Sequence, residues 1–107
     1  MMASPIYMIG QHRIADFERY RQEYGVPVTQ QLVRVGAELI GGDPAPMVLE
    51  GNWGWNWTTI IRFPGMEAVR SWYDSPEYAP LKKARREQLT QGGNLVLVAA
   101  FDPALAR

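Results

Sequence analysis

Apolar positions along this chain fall into short dense runs and into longer three-four repeats, and the two patterns alternate. Ile6-Tyr7-Met8-Ile9 is a short run with β-favouring residues and predicts a first strand that continues towards His12. Phe17, Tyr20, Tyr24, Val28, Leu32 and Val35 then recur at helical spacing, one face of a long amphipathic helix. Asp16 stands where a carboxylate favours a helix start. Pro27 lies in the middle of that stripe, removes a hydrogen bond and disfavours a helical residue before it. The prediction is two helical pieces with a kink near Gly25-Val26-Pro27, stopped by Gly36.

Ala37 to Ile40 predicts a second strand, closed by the turn signal Gly41-Gly42-Asp43-Pro44. Met47 to Glu50 reads as extended again, and Gly51-Asn52 as a hairpin-type turn. Trp57 to Phe63 is the clearest strand, ended by Pro64-Gly65. Met66 to Tyr73 predicts a short helix with Val69, Trp72 and Tyr73 on its apolar side. Ser75-Pro76 restarts the chain as N-cap and first residue of another helix carrying Tyr78, Leu81, Ala84 and Leu89. After Gly92-Gly93, Leu95 to Phe101 predicts the last strand.

The order strand, helix, strand, strand, helix, strand is the α+β, ferredoxin-like βαββαβ arrangement: a four-stranded antiparallel sheet with helices on one face, here one domain over residues 1–107. The last strand is apolar at both parities, and the first shares the trait, with Ile6 and Met8 on one side and Tyr7 and Ile9 on the other. Helices cover only one face of such a sheet. A second copy packed sheet to sheet is the simplest cover for the other, so a homodimer is expected.

Composition narrows the function classes. With 107 residues, 47% apolar and 21% charged, the chain suits one folded domain. Eleven basic residues balance eleven acidic ones, which excludes nucleic-acid binding through a strong basic field. The absence of cysteine excludes disulfides, zinc fingers, iron–sulfur sites and a thiol nucleophile. The opening apolar stretch is too short for a leader, and no run approaches the roughly 20 apolar residues of a membrane span, so a cytoplasmic location without a membrane partner is expected. No Gly-x-Gly-x-x-Gly, P-loop or Gly-x-Ser-x-Gly motif is present, which argues against nucleotide-dependent chemistry and serine hydrolysis.

Three stretches carry a family likeness: Leu49-Glu50-Gly51-Asn52-Trp53, Ile61-Arg62-Phe63-Pro64-Gly65-Met66-Glu67-Ala68 and Ser71-Trp72-Tyr73-Asp74-Ser75-Pro76-Glu77-Tyr78. The chain resembles the bacterial domain-of-unknown-function family numbered thirteen-thirty over nearly its whole length, the Trp-Tyr-x-Ser-Pro-Glu-Tyr stretch being the most specific part. The resemblance implies membership of the dimeric α/β-barrel superfamily, beside the antibiotic-biosynthesis monooxygenases. It implies fold and dimer but no reaction, because that superfamily holds cofactor-free oxygenases, isomerases, cyclases, decarboxylases and haem-handling proteins. One departure is the run of tryptophans at 53, 55 and 57, which points to a specialised pocket or interface.

Several residues are candidates for chemistry. His12, the only histidine, stands at the end of the first strand, where a side chain reaches the mouth of a cavity; its ordinary pKa suits a general acid or base, the bland reading being an exposed loop residue. Arg62 falls mid-strand with Thr58 and Ile60, and requires a ligand anion or an ion pair with Glu38, Glu50 or Asp43. Tyr20 and Tyr24 share the apolar stripe of the first helix, as core or, for Tyr20, as a proton donor. Asp43 and Glu50 are the acids placed to orient His12. Trp53, Trp55 and Trp57 share one face of an extended segment, as a pocket wall or dimer contact, while Trp72, Tyr73 and Tyr78 either line a pocket or pack a helix on the sheet. Lys82, Lys83, Arg85 and Arg86 form a solvated basic cluster, except that Arg85, seven residues after Tyr78, lies near the apolar side. One histidine without cysteine, and no ligand spacing, gives no metal site.

These readings point to a small enzyme of isomerase, cyclase or monooxygenase type. It would need no cofactor and would act on an aromatic or polyketide-like molecule by acid/base chemistry. The alternative is a non-catalytic dimer that binds a small ligand or another protein. Catalysis requires His12 to face a cavity within reach of an acid; binding alone does not.

Overall fold

The computed structural model describes residues 4–106. Strands β1 (Ile6–His12), β2 (Glu38–Asp43), β3 (Trp57–Phe63) and β4 (Gly93–Ala99) form one antiparallel sheet in the order β2-β3-β1-β4. Both central strands are the ones richest in bulky β-formers, as expected where each strand has two neighbours. Met8, Gly10 and His12 of β1 alternate onto the covered face, level with Ile61, Thr59 and Trp57 of β3.

The first helical region begins where Asp16 caps it, its carboxylate accepting from the Arg19 N–H at 3.0 Å. Helix α1 (Phe17–Tyr20) runs through a π-helical turn at Arg21–Gly25 into α2 (Val26–Arg34). Two helical pieces are expected to meet near Gly25-Val26-Pro27, and the π-helical turn ends there, but Gly25 and Val26 keep helical angles and the chain stays helical throughout. The wide turn explains this. The Val26 N–H donates to the Arg21 carbonyl, five residues back, and Pro27 falls in the first turn of α2, where its missing N–H is tolerated.

Helix α3 (Met66–Tyr73) occupies the predicted place. The Ser75 hydroxyl then donates to the Trp72 carbonyl at 2.7 Å and accepts from the Tyr78 N–H at 3.1 Å, so it ties a turn through Pro76 before α4 (Ala79–Ala84) begins. A second π-helical turn, Arg85–Leu89, follows α4 without a break.

Three further expectations are corrected. Strand β2 continues through Gly41-Gly42 to Asp43 instead of turning there. Its glycines lie under β3 side chains: a Cβ on Gly42 would stand 3.2 Å from the Trp57 ring, so the absence of side chains lets the strands approach. Residues 44–56 form an irregular loop, not an extended segment and hairpin, with Met47 and Leu49 each 87% exposed and Gly51 at φ +88°. The last strand ends at Ala99, and Phe101 is exposed.

Helices and sheet enclose a core in which Phe63 and Tyr78 have no exposed surface, surrounded by Met8, Tyr24, Leu32, Ile61, Val69 and Trp72. On the uncovered face Ile60, Val96 and Val98 are exposed beside half-buried Tyr7 and Ile9. That apolar face is the feature the two-parity strands required.

Candidate functional site

A cavity of about 80 Å³ lies between the covered face of the sheet and the helical layer, well above what one water needs. His12, Tyr20, Tyr24, Trp57, Ile61 and Trp72 contribute to its walls. Phe17 packs edge-on to Trp57 with ring centres 5.1 Å apart, and Tyr20 and Tyr24 lie 5.2 Å apart.

Strand alternation turns His12 inward, and it is only 4% exposed. The chain around it is tied on both sides. Its carbonyl accepts from the Asn56 N–H at 3.1 Å, and the Asn56 side chain both accepts from the Ile14 N–H and donates to the Ile14 carbonyl, each at 2.7 Å. Arg13 donates to the Gly54 carbonyl, and its own carbonyl accepts from the Gln91 N–H. The imidazole lies against two backbones without side chains. A methyl group on Gly93 would overlap His12 Cδ2 and the Gln11 carbonyl, and one on Gly10 would stand 3.4 Å from His12 Cε1 and 2.7 Å from the Thr59 hydroxyl. Gly93→Ala is therefore expected to push β4 off His12, seen as a displaced His12 ring resonance and a loss of stability of more than about 1 kcal/mol.

Arg85 stands against His12, with Nη1 3.4 Å from His12 Nε2. A guanidinium only donates, so Nε2 is the acceptor and the neutral ring carries its proton on Nδ1. Arg85 is 7% exposed, and no carboxylate among the described residues lies within 4 Å of it. Arg85 Nε and His12 Nδ1, both buried, have no hydrogen-bond partner. The π-helical turn fixes the arginine's backbone: its carbonyl accepts from both the Thr90 N–H at 3.1 Å and the Thr90 hydroxyl at 2.7 Å.

Electrostatics follow from this burial. Desolvation, helped by the Arg85 charge, lowers the His12 pKa to about 4, so the imidazole is neutral near pH 7. Burial raises the phenols of Tyr20 and Tyr24 above their ordinary range. Burial works against the Arg85 charge, but Tyr78 and Tyr24 beside it more than offset that, and its pKa moves up. The Tyr24 and Tyr78 hydroxyls share a hydrogen bond of 2.6 Å.

Behind the pair, a surface cleft of about 160 Å³ is lined by His12, Arg85, Arg86, Thr90, Gly93 and Asn94. His12 lines both the inner cavity and this cleft, and Arg85 lines the cleft.

The sequence-predicted residues divide. His12, Tyr20 and Trp72 meet at the cavity, and Tyr78 packs on Trp72 with ring centres 4.1 Å apart. Tyr73 sits beside Tyr78, under the Lys82 ammonium. Arg62 lies on the opposite face of the sheet, 3.9 Å from Glu38, an exposed pair of little energetic weight. Asp43 accepts from the Ala45 N–H at the sheet edge, and Glu50 is exposed in the loop. Among the described residues neither acid contacts His12. Trp53 is exposed and donates to the Thr58 hydroxyl, Trp55 stays in the loop, and of the three alternate tryptophans Trp57 reaches the cavity, because the segment before it is not extended. Arg85 and Tyr24 are the additions; the spacing of Arg85 from Tyr78 is the signal for the first.

Among the described residues no group of His, Asp and Glu is arranged to hold a metal ion, and no helix is long and apolar enough to cross a membrane. The family described as "Domain of unknown function (DUF1330)" matches residues 5–101. Two crystal structures of a protein of unknown function from Rhodopseudomonas palustris are similar. One, of the methylated protein, has a TM-score of 0.77 and 17% identity over 94% of this chain and 84% of that one. The other has a TM-score of 0.73 and 18% identity over 94% and 85%. At such identity the likeness carries the ferredoxin-like fold alone. No curated protein matches the chain.

Proposed function

Since the chain belongs to the DUF1330 family, whose description assigns no reaction, we propose from its cavity that it is a small cofactor-independent enzyme. It performs acid/base chemistry on a carbonyl compound carrying about one aromatic ring. The observation that carries this reading is His12 in the wall of an aromatic cavity with the buried Arg85 against its Nε2, a neutral base beside a cation without a carboxylate partner among the described residues. When the substrate carbonyl oxygen takes the Arg85 N–H from His12 Nε2, that nitrogen is freed and takes a proton from the carbon next to the carbonyl. The C–H bond pair moves into the new C=C bond, and the carbonyl π pair moves onto oxygen. The enolate faces the Arg85 guanidinium. Return of the proton to the far carbon of a conjugated enolate completes an isomerisation; for a ring closure the enolate carbon instead attacks a second carbonyl of the same molecule, whose oxygen takes the electron pair and the proton. A low-pKa imidazole is a weak base at rest. Burial lowers its pKa most and the Arg85 charge adds to that; an enolate at Arg85 offsets the second contribution, so the basicity rises as charge develops.

The test is hydrogen–deuterium exchange into single-ring enolisable ketones and esters in D₂O, followed by mass spectrometry. The wild type is expected to accelerate exchange, and His12→Ala and Arg85→Met are each expected to lower the rate at least about a hundredfold. Full rates in both variants would end the proposal.

A second reading, a non-catalytic small-ligand-binding domain, draws on a specific observation: His12 has no acid to orient it among the described residues. Binding without exchange in the same panel selects it.

Under both readings two copies pack sheet to sheet over Ile60, Val96 and Val98. Exposed apolar surface of this kind on a central sheet favours a self-complementary partner. Sedimentation at micromolar concentration is expected to give twice 12.1 kDa, and Val96→Asp with Val98→Asp to give the monomer; a wild-type monomer overturns the dimer.

A further inference from the structure

We infer that the ligand enters as an organic anion, its charged oxygens at Arg85 beside His12 and its single ring in the aromatic cavity. This rests on the reading of the cavity as a small-molecule site and adds the class of molecule it selects. Arg85 is more than nine-tenths buried, and no acid among the described residues balances it. An unpaired buried charge is expensive, and so is a buried donor without an acceptor. Here Arg85 Nε–H and His12 Nδ1–H both stand buried without one. The Arg85 Nε–H beside its fixed positive charge matches a group that only accepts, such as a carboxylate or an enolate, while His12 Nδ1–H, across the ring from the Nε2 that Arg85 contacts, is a separate donor.

The surroundings agree with this polarity. The cleft behind the pair carries Arg86 at its wall and no acidic side chain, so an anion approaching Arg85 from outside meets a second cation. On the inner side the walls are Met8, Leu95 and the aromatic side chains, which suit a ring and offer no counter-charge. A carboxylate adjoining the reacting carbonyl presents two acceptor oxygens to the guanidinium edge, so ring-bearing oxo acids are the substrate class that combines both features.

The experiment compares benzoate with benzamide, equal in size and shape but charged and neutral, by titration calorimetry on the full chain. Benzoate is expected to bind at least about tenfold tighter, the difference one charge-assisted hydrogen bond makes. In Arg85→Met, benzamide affinity is expected to persist and the preference for benzoate to vanish. Equal affinities in the wild type, no binding of either probe at millimolar concentration, or a preference that survives in Arg85→Met would each overturn the inference. Because binding is read without turnover, an anion preference without deuterium exchange removes the enzymatic reading and leaves this one standing. Exchange on neutral ketones without anion preference does the reverse.

Discussion

Tyr78→Ala is expected to destabilise the fold by about 3–5 kcal/mol, the range for removing a large aromatic from a packed core. Tyr78 has no exposed surface and is ringed by Trp72 at 4.1 Å, Tyr73 at 5.7 Å and Tyr24 at 6.2 Å between ring centres. Deleting the ring opens a void among three aromatics and also leaves the Tyr24 hydroxyl without its 2.6 Å partner. Tyr78→Phe separates the two contributions: it keeps the packing and removes only the hydroxyl, and about 1–3 kcal/mol is expected. Urea unfolding at neutral pH measures both. A loss below about 1 kcal/mol for the alanine variant would show that the aromatic cluster does not anchor the helices on the sheet.

The second large effect is a loss of stability on acidification, traceable to one side chain. The His12 pKa falls from 6.5 to about 4 on folding, so between those pH values the unfolded chain holds a proton that the folded one refuses. Stability is therefore complete above pH 6.5, falls as the pH drops through that window, and stops changing on this account below about 4. The expected total is about 3 kcal/mol. His12→Gln should flatten the slope between pH 6.5 and 4. An anion bound at Arg85 should reduce the slope as well, since it favours the imidazolium. An unchanged slope in the glutamine variant would show that the acid sensitivity arises elsewhere.

The order of elements was legible because period and punctuation agreed: a short apolar run before His12, a tyrosine stripe at helical spacing, Pro64-Gly65 closing β3. Ser75-Pro76 marks a helix start too early, since the Ser75 hydroxyl ties a turn there and α4 begins at Ala79. The uncovered apolar face was legible for the same reason, as runs greasy at both parities. What escaped depended on tertiary geometry. Pro27 signals a break in any local reading, and only the wide turn before it lets the helix continue. Gly41-Gly42 signals a turn, yet both residues are strand positions lying under Ile60 and Trp57.

At the site, His12 and Tyr20 followed from strand and helix phase. Arg62 was placed on the correct parity of β3, and that parity takes it to the far side of the sheet from the cavity. Asp43 and Glu50 belong to an edge and a loop whose path no periodicity records. Arg85 lay within a run of basic residues that otherwise faces solvent. Only its phase relative to Tyr78 marked it as different, and its contact with His12 spans 73 positions of sequence.

The two wide turns have a genetic consequence. Tyr24 and Arg85 each occupy a stretch where the helix carries one residue more than its ordinary pitch accommodates. Losing a single codon there would restore the regular pitch, leave the flanking helix nearly in register and re-aim the residues of the turn itself, Tyr24 or Arg85 among them. Homologues aligned with a one-residue gap at either place would carry a differently built chamber on the same scaffold, and ligand preference should change with the gap more sharply than with overall sequence divergence.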